Sequence, residues 1–142
     1  MKNHYQKTMS TPFNLSRLTA EIIKSYSPLA ARRKTYFINS IPEALFTDAD
    51  PELLSSILGS LLTTIINSSQ ESCIQLSARN YNSGVVLLHI RNCNLTDNSF
   101  VEEELRGLQK LAAKMGGFVG VAGQRKHLTT FAFSFRSLQV AA

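Results

Sequence analysis

The segment from Asp50 to Ile66 constrains this chain more than any other. Asp50 offers an N-cap oxygen, and Pro51 fills the first helical position, where its missing N–H is not needed. Behind them Leu53, Leu54, Ile57, Leu58, Leu61, Leu62, Ile65 and Ile66 recur as doublets at helical spacing, which predicts an apolar helix face wide enough to cover a sheet. The opposite face, Ser55, Ser56, Gly59, Ser60, Thr63 and Thr64, is small and uncharged. A solvated helix surface normally carries Glu and Lys, so this one is expected to meet another surface or to descend from a site.

The flanking segments supply the rest of a layered fold. Phe13 to Ala31 has a helical period through Leu15, Leu18, Ile22, Ile23, Tyr26 and Ala30, with Asn14 or Ser16 as candidate cap. Thr35 to Asn39 reads as a strand closed by Ile41-Pro42, and a short run from Ala44 to Thr47 is expected to pair with it or to follow it. Cys73–Ala78 and Val85–Ile90 read as a hairpin around Asn80-Tyr81-Asn82-Ser83-Gly84. Val101 to Met115 is helical, with Glu102, Glu103 and Glu104 at its start and Lys110 and Lys114 near its end, and Gly116-Gly117 stops it. Phe118–Val121 and Leu128–Phe135 form a last strand pair, with Phe131, Phe133 and Phe135 alternating onto one face. The predicted class is α/β, a two-layer sandwich of three helices on one face of a mixed, mostly antiparallel sheet. A single domain from 13 to 137 is expected between flexible tails at 1–12 and 138–142.

Composition narrows the functional classes. In a chain of 142 residues, 44% hydrophobic, one core can form without disulfides or structural metal. Cys73 and Cys93 show no CxxC and no Cys/His cluster, so they read as small core hydrophobes in a reducing cytoplasm, and no metal site is expected. The polar start lacks the apolar region of a secretory signal, and no apolar run approaches the ~20 residues that span a bilayer. The expected location is therefore cytoplasmic, without a membrane partner. The formal net charge of +5 is segregated: residues 1–42 hold seven Lys/Arg against one Asp/Glu, while residues 43–71 hold five carboxylates and no Lys/Arg. The basic stretches Arg32-Arg33-Lys34 and Arg125-Lys126-His127 lack interleaved aromatics, so they read as solvated surface, and nucleic acid is not an expected partner. His4 reads as solvated, His89 as a core or sheet-face histidine, and His127 as an exposed turn residue.

The order of elements and several local words resemble the ATP-binding domain of sensor histidine kinases, within the GHKL ATPase superfamily. The resemblance runs from Phe13 to about Phe135: Phe13-Asn14-Leu15 before the first helix, the helix from Asp50 to Ile66 as the one that carries the N box, Met115-Gly116-Gly117-Phe118-Val119-Gly120-Val121 entering the penultimate strand, and Thr129 to Phe135 as the last strand. The resemblance implies a nucleotide pocket at four positions. Two N-box asparagines, the second a ligand of the Mg²⁺ that bridges the ATP phosphates, are replaced by Ser60 and Thr64. The Asp-x-Gly-x-Gly motif, whose carboxylate accepts from the adenine amino group, is replaced by Asn92-Cys93-Asn94-Leu95-Thr96, so Asn92 stands for the Asp while Asn94 and Thr96 put side chains where the family has glycine.

The lid that covers the phosphates should end just before the last helix, where this sequence reads Glu102-Glu103-Glu104-Leu105. Carboxylates there occupy the positive end of the helix dipole that phosphates would use. Ten residues separate Asn94 from Leu105, too few for such a lid. The phosphoacceptor histidine of the family also sits on a preceding two-helix domain, and twelve residues precede Phe13. The sequence thus reads as a degenerate histidine-kinase-like domain with Ser60, Thr64, Asn92 and Asn94 as a vestigial nucleotide pocket and no catalytic residue. The balance is against an enzyme and against a cofactor. Its expected partners are a signalling protein, such as a response regulator or a kinase, and a second copy of itself. The alternative is an ATP-binding kinase or ATPase subunit that uses Thr64 and Asn92 as substitute ligands for Mg-ATP.

Overall fold

In the computed structural model, which describes residues 11–81, 84–95 and 99–137, the chain runs β1 (Phe13–Asn14), α1 (Leu15–Arg32), β2 (Tyr36–Asn39), β3 (Phe46–Thr47), α2 (Pro51–Asn67), β4 (Cys73–Asn80), β5 (Val85–Asn92), α3 (Ser99–Lys114), β6 (Phe118–Arg125) and β7 (Leu128–Arg136). Residues 1–10 of the tail expected at 1–12, the tail expected at 138–142, His4, Asn82, Ser83 and Thr96 lie outside the described residues. Both anticipated caps form at the helix starts. Asn14 accepts from Arg17 N at 2.9 Å, which makes it the cap of α1 in place of Ser16, and Asp50 accepts from the backbone N–H groups of Glu52 and Leu53.

A five-stranded sheet in the order β2-β4-β5-β7-β6 forms one layer, parallel at β2–β4 and antiparallel elsewhere, and the three helices form the other. The class expected from the sequence is the class observed. The short run before α2 differs from one of its two expectations: β3 pairs with β1 in a separate two-stranded ribbon, antiparallel, and not with β2. The cause is local. A turn closed by Leu45 N donating to Pro42 O at 3.2 Å redirects the chain, and Leu15 N donates to Leu45 O at 3.1 Å, tying the run to the entrance of α1.

The core lies between the layers. Leu54, Ile57, Leu58, Leu61, Leu62, Ile65 and Ile66 of α2 are fully buried, as are Phe131, Phe133 and Phe135 on β7. The buried members of β4 and β5, Ile74, Leu76, Val86, Leu88 and Ile90, alternate with residues on the other face of the sheet, which no helix among the described residues covers. Each fully buried Leu, Ile or Phe is worth roughly 1.5–3 kcal/mol, so α2 is the main clamp between the layers. Among the described residues no helix is long and apolar enough to cross a membrane.

The Gly-Gly pair has two separate jobs here. Gly116, at φ +69°, takes the left-handed position that ends α3, with its N–H on Ala113 O and the Gly117 N–H on Ala112 O, both at 3.0 Å. Gly117 lies against β7 so closely that a Cβ would fall 1.7 Å from Ser134 O. Gly123, beside the β6 bulge, has nothing within 4 Å of a Cβ. Gly117→Ala is therefore expected to lower unfolding stability by at least about 2 kcal/mol, whereas Gly123→Ala stays within about 0.5 kcal/mol of the parent. Urea unfolding midpoints of the two variants decide this; equal losses would contradict the close approach.

Candidate functional site

Ser60 and Thr64 sit one turn apart on α2, as the sequence spacing requires. Thr64 is 6% exposed, and its hydroxyl donates to Ser60 O at 3.0 Å; the neighbouring Thr63 donates to Gly59 O at 2.9 Å. Both hydroxyl protons are thus spent on their own helix, a pattern that Ser and Thr adopt when nothing else claims them. Ser56 and Ser60 are exposed. Gly59 is buried because Tyr26 of α1 lies on it, its hydroxyl 2.7 Å from where a Cβ would stand. Part of the small-residue face therefore meets another surface of this same chain.

Asn92 and Asn94 come together at the end of β5. Asn92 is 0% exposed. Its Oδ1 accepts from Ser72 Oγ at 2.5 Å and from Asn94 N at 2.9 Å, and its Nδ2 donates to Ser69 Oγ. Ser69 passes its own proton to Ile65 O in the last turn of α2. Asn94 N is shared with Ser72 Oγ at 3.1 Å, and Asn94 Nδ2 donates to Gln70 O at 2.6 Å. Ser72 N in turn donates to Thr35 Oγ1 at 3.3 Å. The two pairs of sequence-predicted residues are thus joined only through Ser69 and the helix backbone: among the described residues no hydrogen bond runs between Ser60 or Thr64 and Asn92 or Asn94.

Sequence reasoning did not find Ser69, Ser72 or Thr35. The available signal was the polar run Ser68-Ser69-Gln70-Glu71-Ser72 between two apolar elements, but nothing local says which of these hydroxyls is buried. Arg33, one of the stretch taken as solvated, also has a structural task. Its guanidinium donates to Ile66 O and to Asn67 O, capping the C-terminal end of α2. Its neighbour Lys34 lies 4.0 Å from Glu71 in an exposed ion pair.

Beyond Asn94 the chain reaches α3 at Ser99. Val101, Leu105, Leu108 and Ala112 bury one stripe of that helix, while Glu102, Glu103 and Glu104 are exposed at its start. Negative side chains in this position suit the helix dipole and would repel a phosphate.

The cysteines correct an expectation. They are not core residues: Cys73 is half-buried and Cys93 exposed, both on the uncovered face of the sheet. The strand alternation explains it, since Ile74 and Leu76 take the inward positions and leave Cys73 the outward one. His89 also faces outward, as one of its two expectations had it. It lines a concavity of about 680 Å³ with Ser77, Arg91, Gly123, Gln124, Arg125, Leu128 and Thr130. His127 is exposed in the turn after β6. Among the described residues no three His, Cys, Asp or Glu side chains cluster as metal ligands would.

No protein-family model matches the sequence, and no curated protein matches it. Solved structures do match in fold. The nucleotide-free catalytic domain of histidine kinase ThkA superposes with a TM-score of 0.75 at 18% identity, covering 89% of this chain and 95% of that one. Full-length ShkA in complex with AMPPNP gives 0.74 at 20% identity, covering 92% of this chain and 32% of that one. ThkA in complex with the response regulator TrrA gives 0.70 at 16% identity, covering 89% and 41%. The chain therefore has the fold of histidine kinase catalytic domains, the GHKL ATPase fold.

Two outcomes follow from the site. Asn92→Asp would put a carboxylate opposite Ser69 Oγ, whose proton is committed elsewhere. The cost is expected to be about 1–3 kcal/mol at neutral pH. The buried Asp would bind its proton more tightly than the unfolded chain does. The loss should therefore shrink as pH falls towards about 4, where a protonated Asp can donate to Ser69. Denaturant melts across that range measure it, and a loss independent of pH would contradict the network.

The pKa of His89 is lowered from its ordinary 6.5 by burial, then by Arg79 and Arg91. The unfolded chain therefore takes up this proton first. The contribution is present above about pH 6.5 and is lost as pH falls through the lower, folded value. His89→Gln is expected to flatten the decline in melting temperature between about pH 7 and pH 5.

Proposed function

We propose that this chain is a degenerate histidine-kinase-like domain that acts by holding a partner protein in two-component-type signalling, without turning over Mg-ATP. One observation carries the reading: Asn92, at the position of the family's adenine-binding Asp, is 0% exposed and already accepts two hydrogen bonds and donates one within the protein. An adenine amino group arriving there would have to displace Ser72 or Asn94.

The other positions agree. Thr64, at the place of the Mg²⁺-ligating Asn, is nearly buried and spends its proton on Ser60 O. Glu102, Glu103 and Glu104 stand where anionic phosphates would need positive potential. These residues do not fit Mg-ATP, so no phosphotransfer step is derived for them. The partner class rests on the fold alone: ThkA, which shares it, has been solved with a response regulator.

The test is a thermal melt of the purified protein with and without millimolar Mg-ATP or Mg-ADP. A ligand at a hundred times its Kd adds about 2.7 kcal/mol of stability, a shift of several degrees for a domain of this size. No shift is expected with either nucleotide. A clear shift that disappears in Thr64→Ala would establish the alternative, an ATP-binding subunit with substitute ligands.

A further inference from the structure

The uncovered face of the sheet holds both cysteines of the chain side by side. The β4–β5 register pairs Ile74 with Asn92, which places Cys73 opposite Cys93, and Cys93 N donates to Cys73 O at 3.3 Å. Residues opposed across antiparallel strands have Cα atoms about 4.5–5.5 Å apart, within the roughly 4.4–6.8 Å that a disulfide spans.

Tyr36 of β2 completes the group. It aligns with Cys73 in the parallel register, and its hydroxyl is held above the ordinary tyrosine pKa, chiefly by the Cys73 thiol, with burial and Cys93 adding less. Cys93 opens into a concavity of about 670 Å³ lined also by Arg125, Lys126, His127 and Leu128, with no carboxylate among them. Such a wall gathers anionic reagents, and glutathione disulfide carries four carboxylates.

We propose that Cys73 and Cys93 are a reversible redox pair, which glutathione disulfide oxidises to a cross-strand disulfide. Cys93, the exposed partner, attacks as its thiolate one sulfur of glutathione disulfide, breaking that S–S bond, forming a mixed disulfide and releasing one glutathione thiolate. Cys73, also as thiolate, then attacks Cys93 Sγ and expels the second glutathione. The two protons given up by the protein thiols end on the two glutathione molecules, so the protein is oxidised by two electrons and glutathione disulfide is reduced by two. The new bond would clamp the strand ends from which Ser72, Asn92 and Asn94 build their network. The inference stands independently of whether nucleotide binds.

The full chain, equilibrated in glutathione buffers of increasing oxidation, acid-quenched and weighed by intact mass spectrometry, provides the test. The expected product is a monomer that has lost two hydrogens and carries no glutathione, fully reversed by reducing buffer. Cys73→Ser should stop at the stable mixed disulfide on Cys93, and Cys93→Ser should react several-fold more slowly. In the oxidised parent the phenolate titration assigned with Tyr36→Phe should move to lower pH, because the Cys73 thiol that raises it is consumed. A parent that stays reduced, that keeps one glutathione, or that forms disulfide-linked dimers would overturn the proposal. The measurement on the parent decides the matter even if a serine variant fails to fold.

Discussion

The burial of α2 is the constraint on which everything else in this structure depends. Its apolar doublets, Leu53 excepted, are fully buried between the sheet and the neighbouring helices, and Gly59 gives up its side chain so that Tyr26 can lie on the remaining face. The face of the helix turned to the core has no room for charged residues, and the face under Tyr26 none for a large one. The small hydroxyl residues of its outer face then satisfy themselves against the backbone one turn earlier. Packing, rather than chemistry towards a ligand, accounts for most of what α2 is made of.

The polar counterpart of that core is the Asn92 network. A buried amide is costly unless its donors and acceptors are met, and here they are met by Ser69, Ser72 and the Asn94 backbone. Because Ser69 follows α2 while Ser72 leads into β4, the same few hydrogen bonds fix the end of the main helix, the start of one strand and the end of the next. An Asp in this place would need a donor where Ser69 offers a lone pair. The amide is the side chain that this arrangement favours.

The positions named from the resemblance differ in what the fold asks of them. Gly116 and Gly117 are required because a left-handed helix end at the first, and the 1.7 Å that would separate a Cβ on the second from Ser134 O, leave no other choice. Those requirements belong to the fold. Thr64, Asn92 and Asn94 stand at positions where small polar side chains are satisfied within the fold.

Much of the architecture was legible in the chain itself. Doublet spacing on α2, the Asp-Pro start, the Phe131, Phe133 and Phe135 alternation and the Gly-Gly stop are local signals, and local sterics and hydrophobic periodicity decide them. What the chain could not reveal was everything that depends on two distant segments meeting. The pairing of β3 with β1 was set by the turn at Pro42 and the entrance of α1. Arg33 became a cap of α2 instead of a solvated charge, and Asn92 was sealed by two serines from another loop. Cys73 and Cys93, taken from composition as core residues, were brought face to face on the open side of the sheet. Their placement follows from strand register, which shifts every side chain to the opposite face with a slip of one residue. The sequence by itself determined which segments are helix and strand and which faces are apolar; only the tertiary structure decided which polar groups find each other, because a hydrogen bond or a sulfur pair is a property of two places in the chain and not of either one.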